Sequence, residues 1–302
     1  MNNVIEEIMR LKQERNAIIL AHNYVLPEVQ DVADFVGDSL ELSIKARDAK
    51  ADVIVFCGVK FMAETAKILS PDRVVLHPVQ SAGCPMADMA DAEKVRELKS
   101  RHPDAVTVCY VNSTAEVKAE VDICCTSANA EKIVRMLGPK QKIIFLPDKN
   151  LGANVAKAVG REILLWPGYC PTHHRLTPSM ISDARKLAPD AVVLVHPECP
   201  VEVVAEADYA LSTGGILRFV RESTAKRFII GTERGILHRL RKENPGKEFV
   251  ELESPMICPN MKKITVPDVL ESLKNMVYRV EMPEELMNRA RVPIVRMLEQ
   301  KL

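Results

Sequence analysis

Short apolar runs alternate with amphipathic stretches along almost the whole chain. Runs rich in Val, Ile and Leu lie at residues 19–21, 53–56 and 74–76, again at 108–111, 142–145 and 163–165, and again at 193–195, 227–230 and 249–252. Helix-length segments separate most of them. Strands this short, alternating with helices, predict parallel sheets covered by helices on their faces. Residues 1–16, with Glu6, Glu7, Arg10, Lys12, Glu14 and Arg15, read as an amphipathic helix. The chain beyond about residue 262 reads as helical, with Pro267 and Pro283 as early-helix signals.

The recurrence of this order is a true internal repeat. Three segments align without gaps, anchored at His22, Tyr110 and His196. A glutamate follows each anchor by six residues (Glu28, Glu116, Glu202), an aspartate by twelve (Asp34, Asp122, Asp208) and a hydroxyl residue by seventeen (Ser39, Ser127, Thr213). Repeats at a fixed period are the signature of a unit that stacks on its own copies. The expected fold is therefore α/β, with three pseudo-threefold-related repeats. Each is a small parallel sheet in a three-layer αβα arrangement, with the active site on the central axis. The units fall at 1–87, 88–174 and 175–261, and 262–302 forms a C-terminal helical segment.

Composition narrows the partners. The 41 Lys and Arg balance 41 Asp and Glu, so the formal net charge is zero. That favours neither nucleic acid nor an anionic membrane. No apolar run is long enough to span a bilayer, and the polar N-terminal residues do not make an export signal. The expected location is the cytoplasm. In a reducing compartment, eight cysteines are more often buried hydrophobes, metal ligands or catalytic thiols than disulfides.

Each unit ends in Cys-Pro: Cys84-Pro85, Cys170-Pro171 and Cys258-Pro259. Equivalent loops of a pseudo-threefold assembly can meet on its axis, and three thiolates meeting there make a metal site. Local C-x₂-C pairs typical of structural zinc are absent. Soft ligands from distant loops suit an iron–sulfur cluster, and three cysteines on a four-iron cube leave one iron open as a Lewis acid. A lone cysteine is more often a buried hydrophobe. That reading is kept for Cys57, Cys109, Cys124, Cys125 and Cys199, which fall outside the register.

The strand ends supply a second layer. His22 and Tyr24, Tyr110 and Asn112, and His196 and Glu198 are i, i+2 pairs, so both members of each lie on one side of an extended strand. Ligands of open parallel sheets bind beyond the carboxyl ends of strands. Ser39, Ser127 and Thr213 precede helices, where each can serve as an N-cap or help a helix start hold an anion. Three such starts facing one cavity predict a polyanionic small molecule, which Gly214-Gly215 would let the backbone approach closely. Lys60, Lys149 and Arg234 read as solvated rim charges. Of the doublet after Cys170, His173 is placed to reach a substrate and His174 is structural. His77, His102 and His238 read as surface or packing residues.

Taken together, the segments around Ala21-His22-Asn23-Tyr24, Gly83-Cys84-Pro85-Met86, Tyr110-Val111-Asn112-Ser113, Leu146-Pro147-Asp148-Lys149-Asn150, Trp166-Pro167-Gly168-Tyr169-Cys170, His196-Pro197-Glu198-Cys199, Ser212-Thr213-Gly214-Gly215 and Cys258-Pro259-Asn260-Met261 resemble the quinolinate synthase family over nearly the whole chain. The resemblance implies condensation of iminoaspartate with dihydroxyacetone phosphate to quinolinate, with loss of phosphate and two waters, in de novo NAD biosynthesis. It implies a [4Fe–4S] cluster held by Cys84, Cys170 and Cys258, and coupling to an aspartate oxidase or dehydrogenase that supplies the imine. Tyr24 and Glu198 would be acid/base groups, with His173 and Tyr110 also catalytic. His22, His196 and Tyr110 would orient carboxylate or hydroxyl groups, and Asn112 would hydrogen-bond a ligand of the open iron. Ser39, Ser127 and Thr213 would grip phosphate or carboxylate. Competing readings are another iron–sulfur hydro-lyase, an electron-transfer protein and a zinc-stabilised scaffold.

Overall fold

The computed structural model describes residues 2–253 and 256–301. Met1, Ser254, Pro255 and Leu302, which fall within the expected N-terminal helix, third unit and C-terminal segment, lie outside the described residues.

Among the described residues, twelve strands form three sheets. The first holds β1 (Ala17–His22), β2 (Phe35–Gly37), β3 (Val53–Cys57) and β4 (Val74–Leu76), in the order β2-β1-β3-β4. The second holds β5 (Ala105–Tyr110), β6 (Ile123–Cys125), β7 (Lys142–Leu146) and β8 (Leu164–Leu165), in the order β6-β5-β7-β8. The third holds β9 (Val192–Val195), β10 (Tyr209–Ala210), β11 (Arg227–Gly231) and β12 (Glu248–Val250), in the order β10-β9-β11-β12. All pairings between these strands are parallel. Parallel strands need crossover connections, and these are helical. Each sheet with its helices is a lobe, and the three lobes are the α/β three-layer repeats expected from the chain.

The strand order decides where chemistry can occur. In each sheet the chain leaves the central strand in one direction and returns on its other side. The switch point therefore lies between β1 and β3, β5 and β7, or β9 and β11. Loops that diverge at such a point leave a crevice at the strands' carboxyl ends. The central strands are buried on both faces, which is why they read as nearly unbroken apolar runs. Phe56, Phe145 and Ile230 stand at one repeat position and are 1%, 0% and 5% exposed.

The repeated aspartate has one structural job in all three lobes. A carboxylate oxygen accepts the backbone N–H of the central strand: Ile19 to Asp34 at 2.7 Å, Thr107 to Asp122 at 2.8 Å and Val193 to Asp208 at 2.7 Å. Its other oxygen pairs with a cation from the preceding helix. Lys12 reaches Asp34 at 2.5 Å, Lys99 reaches Asp122 at 3.2 Å and Arg185 reaches Asp208 at 3.1 Å. Each clip fastens helix to sheet at the end remote from the crevice. The repeated glutamates lie in the first turns of the helices Pro27–Val32, Ala115–Lys118 and Val201–Glu206, where the helix dipole favours them.

The chain beyond residue 262 is helical. The helix Val266–Asn275 opens with a capping box between Thr265 and Asp268 and packs on the N-terminal helix and β3. The helix Glu284–Glu299 lies across β6 and the helices Lys60–Leu69 and Ala115–Lys118, and so ties the first two lobes together. Several strand positions differ from expectation: β2, β6 and β10 have no counterpart among the nine apolar runs, being too short to stand out, and β1 and β5 begin at Ala17 and Ala105, ahead of the runs at 19 and 108. The last strand is Glu248–Val250 rather than 249–252, because it aligns with β11 through Arg227 and Glu248. The strand expected at 163–165 begins at Leu164. Among the described residues, no helix is long and apolar enough to cross a membrane.

Candidate active site between the three lobes

The carboxyl ends of the three sheets enclose one cavity of about 670 Å³, counting its mouth. All thirteen residues singled out as candidates line it: His22, Tyr24, Ser39, Cys84, Tyr110, Asn112, Ser127, Cys170, His173, His196, Glu198, Thr213 and Cys258. Their convergence follows from the strand order, since the loops after the central strands open at the switch points.

The three cysteine loops share their anchoring. In the loop after β3, β7 or β11, an amide at or just before the start of the next helix donates to the carbonyl two residues before the cysteine. These bonds, Lys60 to Ala82, Lys149 to Gly168 and Arg234 to Met256, are each 2.8 Å. After the cysteine, proline leads into a short helical turn, and each sulfur accepts the N–H of the third residue on: Ala87 for Cys84, His173 for Cys170 and Met261 for Cys258. A hydrogen bond to sulfur favours thiolate. Burial opposes it, pushing Cys84 up to about 12 and the thiols of Cys170 and Cys258 above their ordinary value. Cys84 feels the charge of Cys258, and Cys170 that of Cys84. Three sulfurs lining one cavity, costly as bare thiolates yet supplied with N–H donors, fit a shared cationic centre. The side-chain oxygen Oδ1 of Asn112 is buried without a partner on the same cavity wall, as expected of a group that meets a ligand. Cys170, His173 and Glu198 also bring one donor atom each within 4.8 Å of one another, so this corner alone can hold a metal ion.

A chain of hydrogen bonds crosses all three lobes. The Tyr24 hydroxyl lies 2.8 Å from Thr213 Oγ1 and 2.6 Å from Thr232 Oγ1. Thr232 Oγ1 is 2.8 Å from His173 Nε2, and His173 Nδ1 is 2.7 Å from Glu198 Oε2. Tyr110 donates its hydroxyl to Glu198 Oε1 at 2.5 Å. Burial alone would raise the Glu198 carboxyl. His173, beside the carboxylate, and the hydrogen bonds from His173 and Tyr110 outweigh it and hold Glu198 below the ordinary carboxylate range. Both phenols are pushed the other way, by burial first and then by neighbouring carboxylates, against the hydroxyl partners of Tyr24. At neutral pH the cavity therefore holds an ionised glutamate between two protonated tyrosines.

His22 and His196 are matched. In each, Nδ1 accepts the backbone N–H two residues on, Tyr24 at 3.2 Å and Glu198 at 3.3 Å. That leaves Nε2 to carry the proton. Burial lowers both imidazoles to about 3, so both are neutral at pH 7. His196 Nε2 lies 3.1 Å from Ser127 Oγ. Each ring is thus a fixed donor, which suits a carboxylate or carbonyl oxygen.

The hydroxyl residues are not the caps. Asp38 caps the helix Ser39–Arg47, and Ser212 caps the helix Thr213–Glu222. In the second lobe the helix begins later, at Ala130, with Asn129 at the cap position. The capping expectation for Ser39, Ser127 and Thr213 is thereby corrected: a neighbouring residue occupies the cap position, so Thr213 and Ser127 turn to Tyr24 and His196 instead. The close approach expected at Gly214 exists, but the anion is the protein's own. Asp38 Oδ2 accepts Gly214 N–H at 3.2 Å, and a side chain there would meet that oxygen at 2.6 Å.

Three residues of the site escaped the sequence analysis. Thr232 bridges Tyr24 and His173 but carries no pattern that marks it. Asp148 and Glu233 each precede a member of the Lys149/Arg234 repeat position, a signal available in the alignment of the units. Of the other cysteines, Cys57, Cys109, Cys124, Cys125 and Cys199 are all 0% exposed in the core. His174 packs on Tyr169 and bonds Asn150, as a structural residue would. Lys60 is exposed and Arg234 half-exposed beside acidic partners.

Fold and site together define an α/β enzyme whose polar, sulfur-lined cavity lies where three parallel sheets meet. Comparison with known proteins makes this specific. The profile of the quinolinate synthetase A protein family matches residues 6–299. The chain is 52% identical over 300 residues to the quinolinate synthase of Alkaliphilus metalliredigens, covering 99% of both chains. It is 54% identical over 295 residues to that of Dehalococcoides mccartyi strain CBDB1, covering 98% of this chain and 97% of the relative. It is also 54% identical over 299 residues to that of Thermodesulfovibrio yellowstonii, covering 99% and 98%. The chain belongs to the quinolinate synthetase A protein family.

Proposed function

We propose that this enzyme condenses iminoaspartate with dihydroxyacetone phosphate to give quinolinate, phosphate and two waters, as a step of NAD biosynthesis. Its three units divide near residues 87, 174 and 261. The observation that carries this reading is the meeting of three sulfurs, one from each lobe, with an ionised Glu198 and two neutral histidines in one cavity. Cys84, Cys170 and Cys258 hold a [4Fe–4S] cluster, which when bound supplies an open iron as a Lewis acid.

The remaining residues divide the work by their protonation. Glu198, kept anionic and fixed by Tyr110 and His173, accepts a proton during isomerisation and imine formation. Tyr24, kept neutral, donates one, and its Thr232 link to His173 gives the transferred proton a path between lobes. His22 and His196 present Nε2–H to substrate carboxylates without carrying charge. Ser39, Ser127 and Thr213 face the phosphate or a second carboxylate, and Asn112 offers its free side-chain oxygen Oδ1 to a ligand of the open iron.

The test is anaerobic purification followed by iron, sulfide and zinc counts and paramagnetic resonance after reduction. About four irons per chain with matching sulfide is expected. Zinc without sulfide overturns the reading. Turnover that does not require dihydroxyacetone phosphate points instead to a hydro-lyase acting on a hydroxy acid.

A further inference from the structure

We infer that Asp148 and Glu233 are positioning residues that hold the loops of Cys170 and Cys258 in the geometry needed to ligate the cluster. The inference rests on the cluster reading above and goes beyond it. Both carboxylates stand at one repeat position, immediately before Lys149 and Arg234, and both are 0% exposed. Each uses its two oxygens separately. Asp148 Oδ2 accepts the amide of Cys170 at 3.1 Å and Oδ1 that of Leu151 at 2.7 Å. Glu233 Oε1 accepts the amide of Cys258 at 3.1 Å and Oε2 that of Gly235 at 2.7 Å. Aspartate in one lobe and glutamate in the other reach the same cysteine amide at the same distance, so the bond has been kept while the side chain that makes it differs.

The chemistry requires a carboxylate. Two N–H donors face two acceptor atoms, and an amide side chain has one acceptor and would set its NH₂ against the second donor. Together with the carbonyl two residues before the cysteine and the N–H three residues after it, the carboxylate fixes the loop on every side of the ligand. Lys262 reinforces the third-lobe site, 2.9 Å from Glu233 Oε1, and also bonds the carbonyl of Tyr24. The first lobe has Val59 at this position, so Cys84 is held without a carboxylate. Rigid support of ligands by groups beyond them governs how firmly a metal is kept.

The experiment compares reconstituted full-length wild type with Asp148→Asn, Glu233→Gln and Asp91→Ala. The last removes a surface helix cap, which accepts Glu93 and Lys94, and touches no cysteine. Iron and sulfide are counted, bleaching by a chelator is timed without oxygen, and the reduced resonance spectrum is recorded. Loss of one hydrogen bond at a buried ligand loop is expected to speed bleaching of Asp148→Asn and Glu233→Gln about tenfold or more and to broaden or shift the resonance, while Asp91→Ala behaves as wild type. Should Asp148→Asn not accumulate, because Asp148 also caps a helix, Glu233→Gln carries the test. Bleaching rates and spectra equal to wild type in both variants overturn the inference, as does equal acceleration in Asp91→Ala. A wild type holding no iron and sulfide overturns the cluster reading itself, which is a different result.

Discussion

The two ends of each sheet have followed opposite rules. At the outer end, Asp34, Asp122 and Asp208 make the same bond to the central strand and the same ion pair to the preceding helix. At the cavity end, the equivalent pairs are His22 and Tyr24, Tyr110 and Asn112, and His196 and Glu198, and no two pairs match. The outer clip performs a task that every lobe has in common, satisfying a strand N–H and fastening a helix. The cavity serves one asymmetric reaction, so each lobe contributes a different group to it. Backbone anchoring spans the two regimes. The bond that fixes each cysteine loop is kept threefold, while the carboxylate beside it is kept in only two lobes.

Substitutions should separate the two ends. The largest effect is expected from Cys84→Ser, Cys170→Ser or Cys258→Ser, each abolishing the brown chromophore and activity. Cys57→Ser, in the core of β3, should keep the colour, as read by visible absorption after anaerobic purification. If all four lose it alike, the division of cysteines by register fails. Next, Glu198→Gln removes the carboxylate base and should lower kcat by about 10²–10⁴ with the cluster intact. A drop confined to KM would make Glu198 a binding group only.

A third test uses pH. His22 and His196 are neutral when folded down to about pH 3, whereas in the unfolded chain each protonates near pH 6.5. Below pH 6.5 the unfolded state binds the extra protons, so stability falls as pH drops from about 6.5 toward 3. At pH 5.5 the loss is about 1.4 kcal/mol for each histidine. Urea midpoints of the cluster-free protein at pH 7.5 and 5.5 should show it, with a smaller drop in His196→Gln. An unchanged drop would mean that His196 takes up its proton in the folded state.

The smallest effect belongs to the outer end. Asp122→Asn weakens bonds to Thr107 and Lys99 and should cost about 1–2 kcal/mol of stability, read by urea unfolding, with the iron content unchanged. Loss of iron there would show that the outer clip and the cavity are coupled.

Much of this was legible from residue order. Fixed spacings from His22, Tyr110 and His196 marked three units, and the register of Cys84, Cys170 and Cys258 distinguished them from five cysteines now found buried in the core. Periodicity and repetition are one-dimensional properties, and the chain carries them whole. Residue order also located the hydroxyl residues but not their partners, because Asp38 and Ser212 sit one position away and compete for the same amides. Only the tertiary structure could bring Thr232 between Tyr24 and His173, or set Glu198 against Tyr110 from another lobe. Such bonds join residues some 60 to 200 positions apart, and their partners are chosen by where three separately folded sheets come to rest. Protonation was decided there too, since burial and neighbouring charge, not residue type, hold Glu198 ionised and His22 and His196 neutral.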